Sequence, residues 1–187
     1  MNWNELPMIR EAFEKLRSGC HLSIEDGECY RALADNEKDF TSLFASLGFA
    51  LINHRRGFFY FKGGSGYSSF GSKVAVFFFI LVEWISDSGG QVEEYLFNRL
   101  TMTSDLPHLK RDRYKQYMAD AGIETEDSLG NLLKRMERLG FIRFQSEGIF
   151  RFKNPSYRLL DLCSEIIEEE EGKTAITMNV ANGTTGS

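Results

Sequence analysis

The chain contains one helix–strand–strand pattern twice, and this repeat limits the folds open to it more than any other feature. In the first copy, an amphipathic helix ends at Leu47-Gly48-Phe49, and two short apolar segments follow, the second being Phe58–Phe61. In the second copy, a helix ends at Leu139-Gly140-Phe141, and two apolar segments again follow, the second being Ile149–Phe152. Internal repeats of this kind reflect repeated supersecondary units. Helix, glycine, strand, turn and strand form the second half of a winged-helix domain, so we predict an α+β, mostly helical fold with two tandem winged-helix domains.

The composition changes along the chain predict the domain boundaries. Gly and Ser dominate residues 63–72, which is typical of a flexible linker. An acidic run, Glu168–Glu171, follows the last apolar stripe, and the residues beyond Gly172 are small and polar. We therefore predict an N-terminal winged-helix domain (1–62), the linker (63–72), a C-terminal winged-helix domain (73–155), a C-terminal helix (156–171) and a disordered tail (172–187).

The segment from Val74 to Trp84 predicts a helix that is apolar on almost all sides. A helix without a polar face is buried all round. A small domain covers only one face of such a helix, so we expect the other face to meet the first domain or a second subunit. The candidates for this dimer or interdomain contact are Val74, Phe77, Phe78, Leu81 and Trp84.

Basic residues are clustered locally, although the formal net charge of the chain is -5 at pH 7. DNA contact by such a chain requires local basic patches. In a winged helix, the helix before the hairpin can enter the major groove, and the tip of the wing can touch phosphate. The DNA-binding candidates are Lys134, Arg135, Arg138 and Arg143 on the second repeat, Lys110, Arg111, Arg113 and Lys115 before it, and Arg55 and Arg56 at the first wing tip.

The alternative interpretation is that these cations only solvate an outer helix face. The first-repeat helix carries Lys38 as its single base, with Glu37 and Asp39 beside it. It is a poor reader of a DNA groove, so we expect the first domain to bind protein.

The sequence indicates no catalytic residues, metal site or cofactor. The three cysteines and three histidines lie at no metal-ligand spacing. The segment Gly66–Lys73 is close to a phosphate-binding loop, but its Ser and Lys are exchanged, which favours a linker. The apolar run near Val74 is too short to span a membrane. We expect a cytoplasmic, non-enzymatic protein.

Several segments, in this order along the chain, resemble the MukE family, which includes its relative MksE. They are Leu16-Arg17-Ser18-Gly19-Cys20-His21-Leu22, Gly57-Phe58-Phe59-Tyr60-Phe61, the helix from Leu129 to Leu139-Gly140-Phe141, and Phe150-Arg151-Phe152. The resemblance covers most of the chain, from Leu6 to Glu168. The chain is shorter than MukE through its second domain, which favours the MksE branch.

The resemblance implies an accessory subunit of a bacterial condensin-like SMC complex of the MukBEF or MksBEF type. Such a subunit forms a homodimer and binds a MukF- or MksF-like kleisin subunit, which bridges the heads of an SMC-like ATPase. The complex would be nucleoid-associated and act in chromosome segregation and DNA condensation, or in plasmid defence. The alternative is a free-standing winged-helix transcription regulator, favoured by the basic helix around Arg135.

Overall fold

The computed structural model describes residues 6–63 and 69–163 and has an α+β fold in which most residues are helical. The first half contains α1 (Ile9–Arg17), β1 (Leu22–Ser23), a 3-10 helix (Ile24–Asp26), α2 (Glu28–Asp35), α3 (Glu37–Ser46), β2 (Leu51–His54) and β3 (Phe58–Phe61).

The second half repeats this order and adds one helix before its first strand. It contains α4 (Ser69–Asp87), α5 (Val92–Phe97), β4 (Thr101–Met102), a 3-10 helix (Thr103–Asp105), α6 (Asp112–Asp120), α7 (Glu126–Arg138), β5 (Ile142–Ser146) and β6 (Ile149–Phe152). A 3-10 turn, Asn154–Ser156, then leads into helical residues 157–163.

Each half carries a three-stranded antiparallel sheet with the same strand order. The orders are β1-β3-β2 and β4-β6-β5. Leu22 of β1 lies opposite Phe59, and Thr101 of β4 lies opposite Phe150. This shared register makes Leu22 and Thr101 structurally equivalent positions of the repeat.

The two halves have separate hydrophobic cores. The first core packs α1, α2 and α3 against the sheet around the fully buried Leu33, Phe40 and Phe44. The second core is larger and surrounds the fully buried Phe77 and Phe78 of α4. Two cores in one chain of this length agree with the tendency of small domains to bury one core each.

Local sequence signals account for several element ends. Asp26 accepts a hydrogen bond from the Ser23 backbone N–H at 2.8 Å, which forms a capping box at the start of the first 3-10 helix. Thr125 caps α7 by accepting from the Ser128 N–H at 3.2 Å. Gly48 and Gly140 end α3 and α7 with positive φ angles of 82° and 87°.

The structure differs from the sequence-based expectations at three places. The α4 helix begins at Ser69, so its first turn replaces the end of the predicted linker. No strand is predicted near residue 101, yet β4 and a 3-10 helix form there, because Thr101 and Met102 pair with β6. The rest of the predicted C-terminal helix and the predicted tail, residues 164–187, lie outside the described residues.

None of the helices in the described ranges is both long enough and apolar enough to span a bilayer.

Candidate interaction surfaces

The two halves are joined by a buried histidine, His21, at the start of β1. Its backbone N–H donates to the carbonyl oxygen of Leu139 at 2.9 Å, and its Nδ1 lies 3.3 Å from the same oxygen. Its Nε2 lies 2.8 Å from Nη1 of Arg158. With Nδ1 protonated and Nε2 accepting from Arg158, both ring nitrogens of a neutral imidazole are satisfied.

The environment of His21 keeps its ring uncharged. The side chain is only 4% exposed and packs against the rings of Tyr60 and Phe141, with centroid distances of 5.3 and 4.5 Å. Burial, together with the nearby positive charge of Arg158, lowers the pKa of His21 from 6.5 to about 3. His21 therefore acts as a structural hydrogen-bonding group across the junction.

Complementary charges reinforce this junction. Lys153, only 6% exposed, places its Nζ 3.2 Å from the Asp26 carboxylate. Arg151 forms an ion pair with Glu25 at 3.0 Å. A buried lysine requires such a partner because an isolated charge is strongly disfavoured away from water. The second sheet thus presents cations to the acidic turn after β1.

The tip of the β2–β3 hairpin lies against the second half. Arg55 pairs with Asp161 at 3.3 Å, and His54 Nε2 lies 3.2 Å from the same carboxylate. Arg56 pairs with Glu93 at 3.3 Å, and its guanidinium lies 4.0 Å from the ring centroid of Tyr157. Arg55 and Arg56 were predicted as phosphate contacts of a free wing tip, and the structure instead gives both guanidinium groups intrachain partners.

The basic residues of α7 and β5 are exposed to solvent. Lys134, Arg138 and Arg143 are exposed and form no ion pair with any residue in the described ranges. Arg135 is also exposed, but its guanidinium lies 4.0 Å above the ring of Phe70 at the start of α4. Three cations of the predicted second-repeat cluster are therefore exposed and without an ion-pair partner among the described residues.

The preceding cluster is more strongly engaged within the chain. Arg113 pairs with Glu83 at 2.8 Å, and Lys115 pairs with Asp112 at 3.2 Å. Arg111 lies 5.7 Å from the ring centroid of Tyr114, whereas Lys110 is exposed. These residues are less available for phosphate than the α7–β5 cations.

The residues predicted to form a dimer or interdomain contact on α4 lie mainly in the core of the second half. Val74, Phe77, Phe78 and Leu81 are at most 1% exposed and belong to the second core. Trp84 is partly buried and makes an edge contact with the ring of Tyr95. The helices α5, α6 and α7 and the β5–β6 hairpin all pack on α4, so the second half covers more of this helix than expected.

The remaining face of α4 borders an open apolar groove of about 620 Å³. Phe79, 41% exposed, and Val76 form one wall, and Tyr117 and Ala121 of the α6 region contribute to the other. Lys73 and Asp120 are the charged residues of the lining. An apolar groove between two helices is a common receptor for an amphipathic segment of a partner.

The three cysteines lie in surroundings that disfavour reactivity. Burial raises the pKa of Cys20 and of Cys163 to about 11, and it also raises the pKa of Cys29. A thiol that stays protonated at neutral pH is a poor nucleophile and metal ligand. These side chains serve as small apolar core residues.

Sequence reasoning missed the junction between the halves. No contact of His21, Lys153 or Arg158 was predicted, because their partners lie more than 100 positions away. The local signal that could have indicated the junction is that His21 and Lys153 are polar residues directly beside the buried strands β1 and β6. No sequence period connects residues so far apart.

A comparison with protein families matches residues 7–164 of the chain to the family described as condensin complex protein MksE. The match includes both sheets, the junction and the groove, so it covers all the surfaces described above. No curated protein matches the chain.

Proposed function

Because the chain belongs to the MksE family of condensin complex proteins, we propose that it is a non-enzymatic accessory subunit that binds the kleisin of a condensin-like SMC complex. Through the kleisin it would associate with the ATPase subunit, which performs the hydrolysis. The complex would reside in the cytoplasm, associated with the nucleoid.

We also propose that each half is a winged-helix domain. The support is the repeated order of helix, strand, two helices and hairpin, together with the equal strand orders of the two sheets. Domains of this type bind DNA or protein by their helices and wings. Here the first wing is engaged with the second half, so the exposed surfaces of the second half become the proposed contact regions.

The observation that best supports partner binding is the apolar groove beside α4. Phe79 is a large side chain held 41% exposed at its wall, and water-exposed apolar surface of this kind is stabilised when a partner covers it. We therefore assign the groove to an amphipathic helix of the kleisin, whose apolar side chains would cover Phe79 and Val76.

The test is an affinity capture of the tagged full chain from its own cell lysate, with bound proteins identified by mass spectrometry. The wild-type chain is expected to recover a kleisin and a large coiled-coil ATPase in near-stoichiometric amounts. Phe79→Asp should reduce recovery of both by roughly tenfold or more, because it places a charge in the apolar contact.

Ile24→Asp is the matched control, because Ile24 is 69% exposed and lies in the first half, away from the groove. Its capture should equal that of the wild type, and both variants should melt as the wild type does. Equal capture by Phe79→Asp would show that the kleisin binds elsewhere. Recovery of specific DNA fragments without a protein partner would instead support a free-standing transcription regulator.

We further propose that DNA held by the complex contacts the exposed cations of α7 and β5. Lys134, Arg138 and Arg143 are free of intrachain ion pairs in the described ranges, so no bond has to break before a phosphate is bound. This contact would serve chromosome organisation or plasmid defence equally, because phosphate contacts carry no sequence information.

A further inference from the structure

The last described residues of the chain lead into the α4 groove. Residues 157–163 are helical, and Leu160 lines a small cavity of about 250 Å³ together with Val82, which lies in the C-terminal half of α4. Cys163 borders both this cavity and the large groove, whose wall contains Val76 from an earlier turn of α4. The helix therefore runs in the opposite direction to α4, and the chain leaves Cys163 toward the start of α4.

The residues that follow Cys163 continue the apolar spacing of this helix. Leu159 and Leu160 stand four and three positions before Cys163, and Ile166 and Ile167 stand three and four positions after it. Residues three and four apart share one face of a helix. A continued helix, which the sequence predicts here, would place both isoleucines on the face that borders the groove at Cys163.

The charges beside the groove complement the acidic residues that come next. Glu168–Glu171 directly follow the two isoleucines. Lys73 of the groove lining forms no ion pair with any described residue, and the guanidinium of Arg135 lies over the first turn of α4. Asp120 at the end of α6 is the acidic residue of the lining. The two cations lie at the end of α4 toward which the chain runs, so they attract a segment of this charge.

We propose that residues 164–171 of the same chain occupy the α4 groove of the free protein and that the kleisin helix displaces them. Ile166 and Ile167 cover the exposed face of Phe79, and burial of these apolar side chains favours the docked state. The segment is joined to the groove by the chain itself, which gives it a high effective concentration there. The docking stands on the groove alone, whereas the displacement rests on the proposed kleisin site.

Thiol labelling of the purified full chain tests the docking without a partner. Val76→Cys adds a thiol to the groove, whereas the native cysteines are buried with raised pKa values and react slowly. Adding Ile166→Asp/Ile167→Asp to this chain should raise the labelling rate of the new thiol by roughly tenfold, because labelling requires the open groove.

The matched control carries the same type of substitution farther along the chain. Ile176→Asp/Val180→Asp lies beyond residues 164–171 and should leave the labelling rate of the Val76→Cys chain unchanged. The wild-type chain and the Ile166→Asp/Ile167→Asp chain without the added thiol give the background, which includes any labelling of Cys163.

Capture from serial dilutions of the cell lysate tests the displacement. The Ile166→Asp/Ile167→Asp chain should reach half-maximal recovery of the kleisin at a roughly tenfold lower lysate concentration than the wild type, because apparent affinity rises with the open fraction of the groove. The Ile176→Asp/Val180→Asp chain should match the wild type.

A labelling rate that the substitutions at Ile166 and Ile167 leave unchanged would overturn the docking. Protection of the thiol that increases with protein concentration would also overturn it, because the segment would then come from another copy. Faster labelling without a shift in kleisin recovery would overturn the displacement, provided that Phe79→Asp lowers recovery. If Phe79→Asp does not lower recovery, the kleisin site is wrong, and the labelling rates still decide the docking.

Thermal melting of each variant separates these effects from loss of folding. Where the aspartates lower the melting temperature, Ile166→Ala/Ile167→Ala gives the same comparison, because it removes most of the apolar contact without adding charge.

Discussion

At the residue scale, the buried side chain of His21 connects the two halves of the chain by hydrogen bonds. It is buried, neutral and hydrogen-bonded on both ring nitrogens to groups of the other half. A buried polar group with satisfied partners stabilises one arrangement of the chain, since any shift of the halves would leave its nitrogens unpaired. Protonation of His21 in acid is therefore expected to destabilise the folded protein.

The stability of the protein is expected to fall as the pH drops below about 6.5, before most carboxylates are protonated. Burial lowers the pKa of His21 to about 3 and that of His108 to about 4, so below 6.5 the unfolded chain binds protons that the folded chain does not. Each histidine then lowers the free energy of unfolding by up to about 1.4 kcal/mol per pH unit.

Urea unfolding at pH 7.0 and 5.5 measures this effect. Replacement of His21 by Gln should make the protein less stable at neutral pH and reduce the loss between the two pH values, because Gln does not titrate. An unchanged pH dependence in His21→Gln would contradict the assignment of a neutral, buried His21.

At the element scale, the two turns from helix to strand, Leu47-Gly48-Phe49 and Leu139-Gly140-Phe141, have similar backbone conformations but different surroundings. Gly48 and Gly140 both end a helix with φ above 80°, so an alanine is equally strained at either position. Only Gly140 lies against another part of the chain, the carbonyl of His21. The turn therefore ends a helix in both halves, and in the second half it also contacts His21.

Gly140→Ala should destabilise the protein more than Gly48→Ala does. Backbone strain at a positive φ costs each variant about 1 kcal/mol. The overlap with His21 adds a further cost of roughly 1–3 kcal/mol in Gly140→Ala, because the junction must open to admit the methyl group. Thermal or urea unfolding of both variants at the same protein concentration compares the two.

Equal losses of unfolding free energy in the two alanine variants would show that the Leu139-Gly140-Phe141 turn does not pack on His21 in solution.

At the scale of the whole molecule, basic residues divide into those that hold the halves together and those that remain open. Arg55, Arg56, Arg151 and Lys153 pair with carboxylates across the junction. Lys134, Arg138 and Arg143 are exposed on the second half without such partners among the described residues. A chain with a net charge of -5 can therefore still present a local cationic surface.

Reversal of the charges at Lys134, Arg138 and Arg143 should weaken DNA binding and flatten its salt dependence. Each lost phosphate contact reduces the magnitude of the negative slope of log affinity against log salt by about 0.9. Fluorescence anisotropy with a labelled duplex over a salt series measures the slope. Lys115→Glu is the control, because Lys115 is already paired with Asp112.

A slope unchanged by the α7–β5 reversals would show that these cations only solvate the helix face.

The secondary structure near the repeat could be predicted because its signals are local. The strands Phe58–Phe61 and Ile149–Phe152 lie where the apolar runs predict them, and glycine stops α3 and α7. The strands β1 and β4 were missed because a strand of two residues is too short to show an alternation of apolar and polar residues. They form only by pairing with β3 and β6. The start of α4 was misplaced because Ser and Gly are compatible with both linker and helix N-terminus.

The candidate surfaces were harder to predict than the elements. The basic cluster on α7 followed from its sequence, because residues on one helix face keep a fixed spacing. The sequence predicted that Phe77 and Phe78 are buried, but not that the second half itself covers them. The engagement of Arg55 and Arg56 did not follow either, because it depends on which elements pack beside them. The exposed position of Phe79 likewise results from the placement of α6 beside α4.

The sequence by itself determined the repeat, the positions of the main helices and hairpins, and the resemblance to the MksE family, since short-range periodicity and motif order carry these. Only the tertiary structure decided how the two halves meet. His21 and Leu139 are 118 residues apart, and Lys153 and Asp26 are 127 apart. Contacts over such separations depend on the packing of complete domains, which local propensities do not specify.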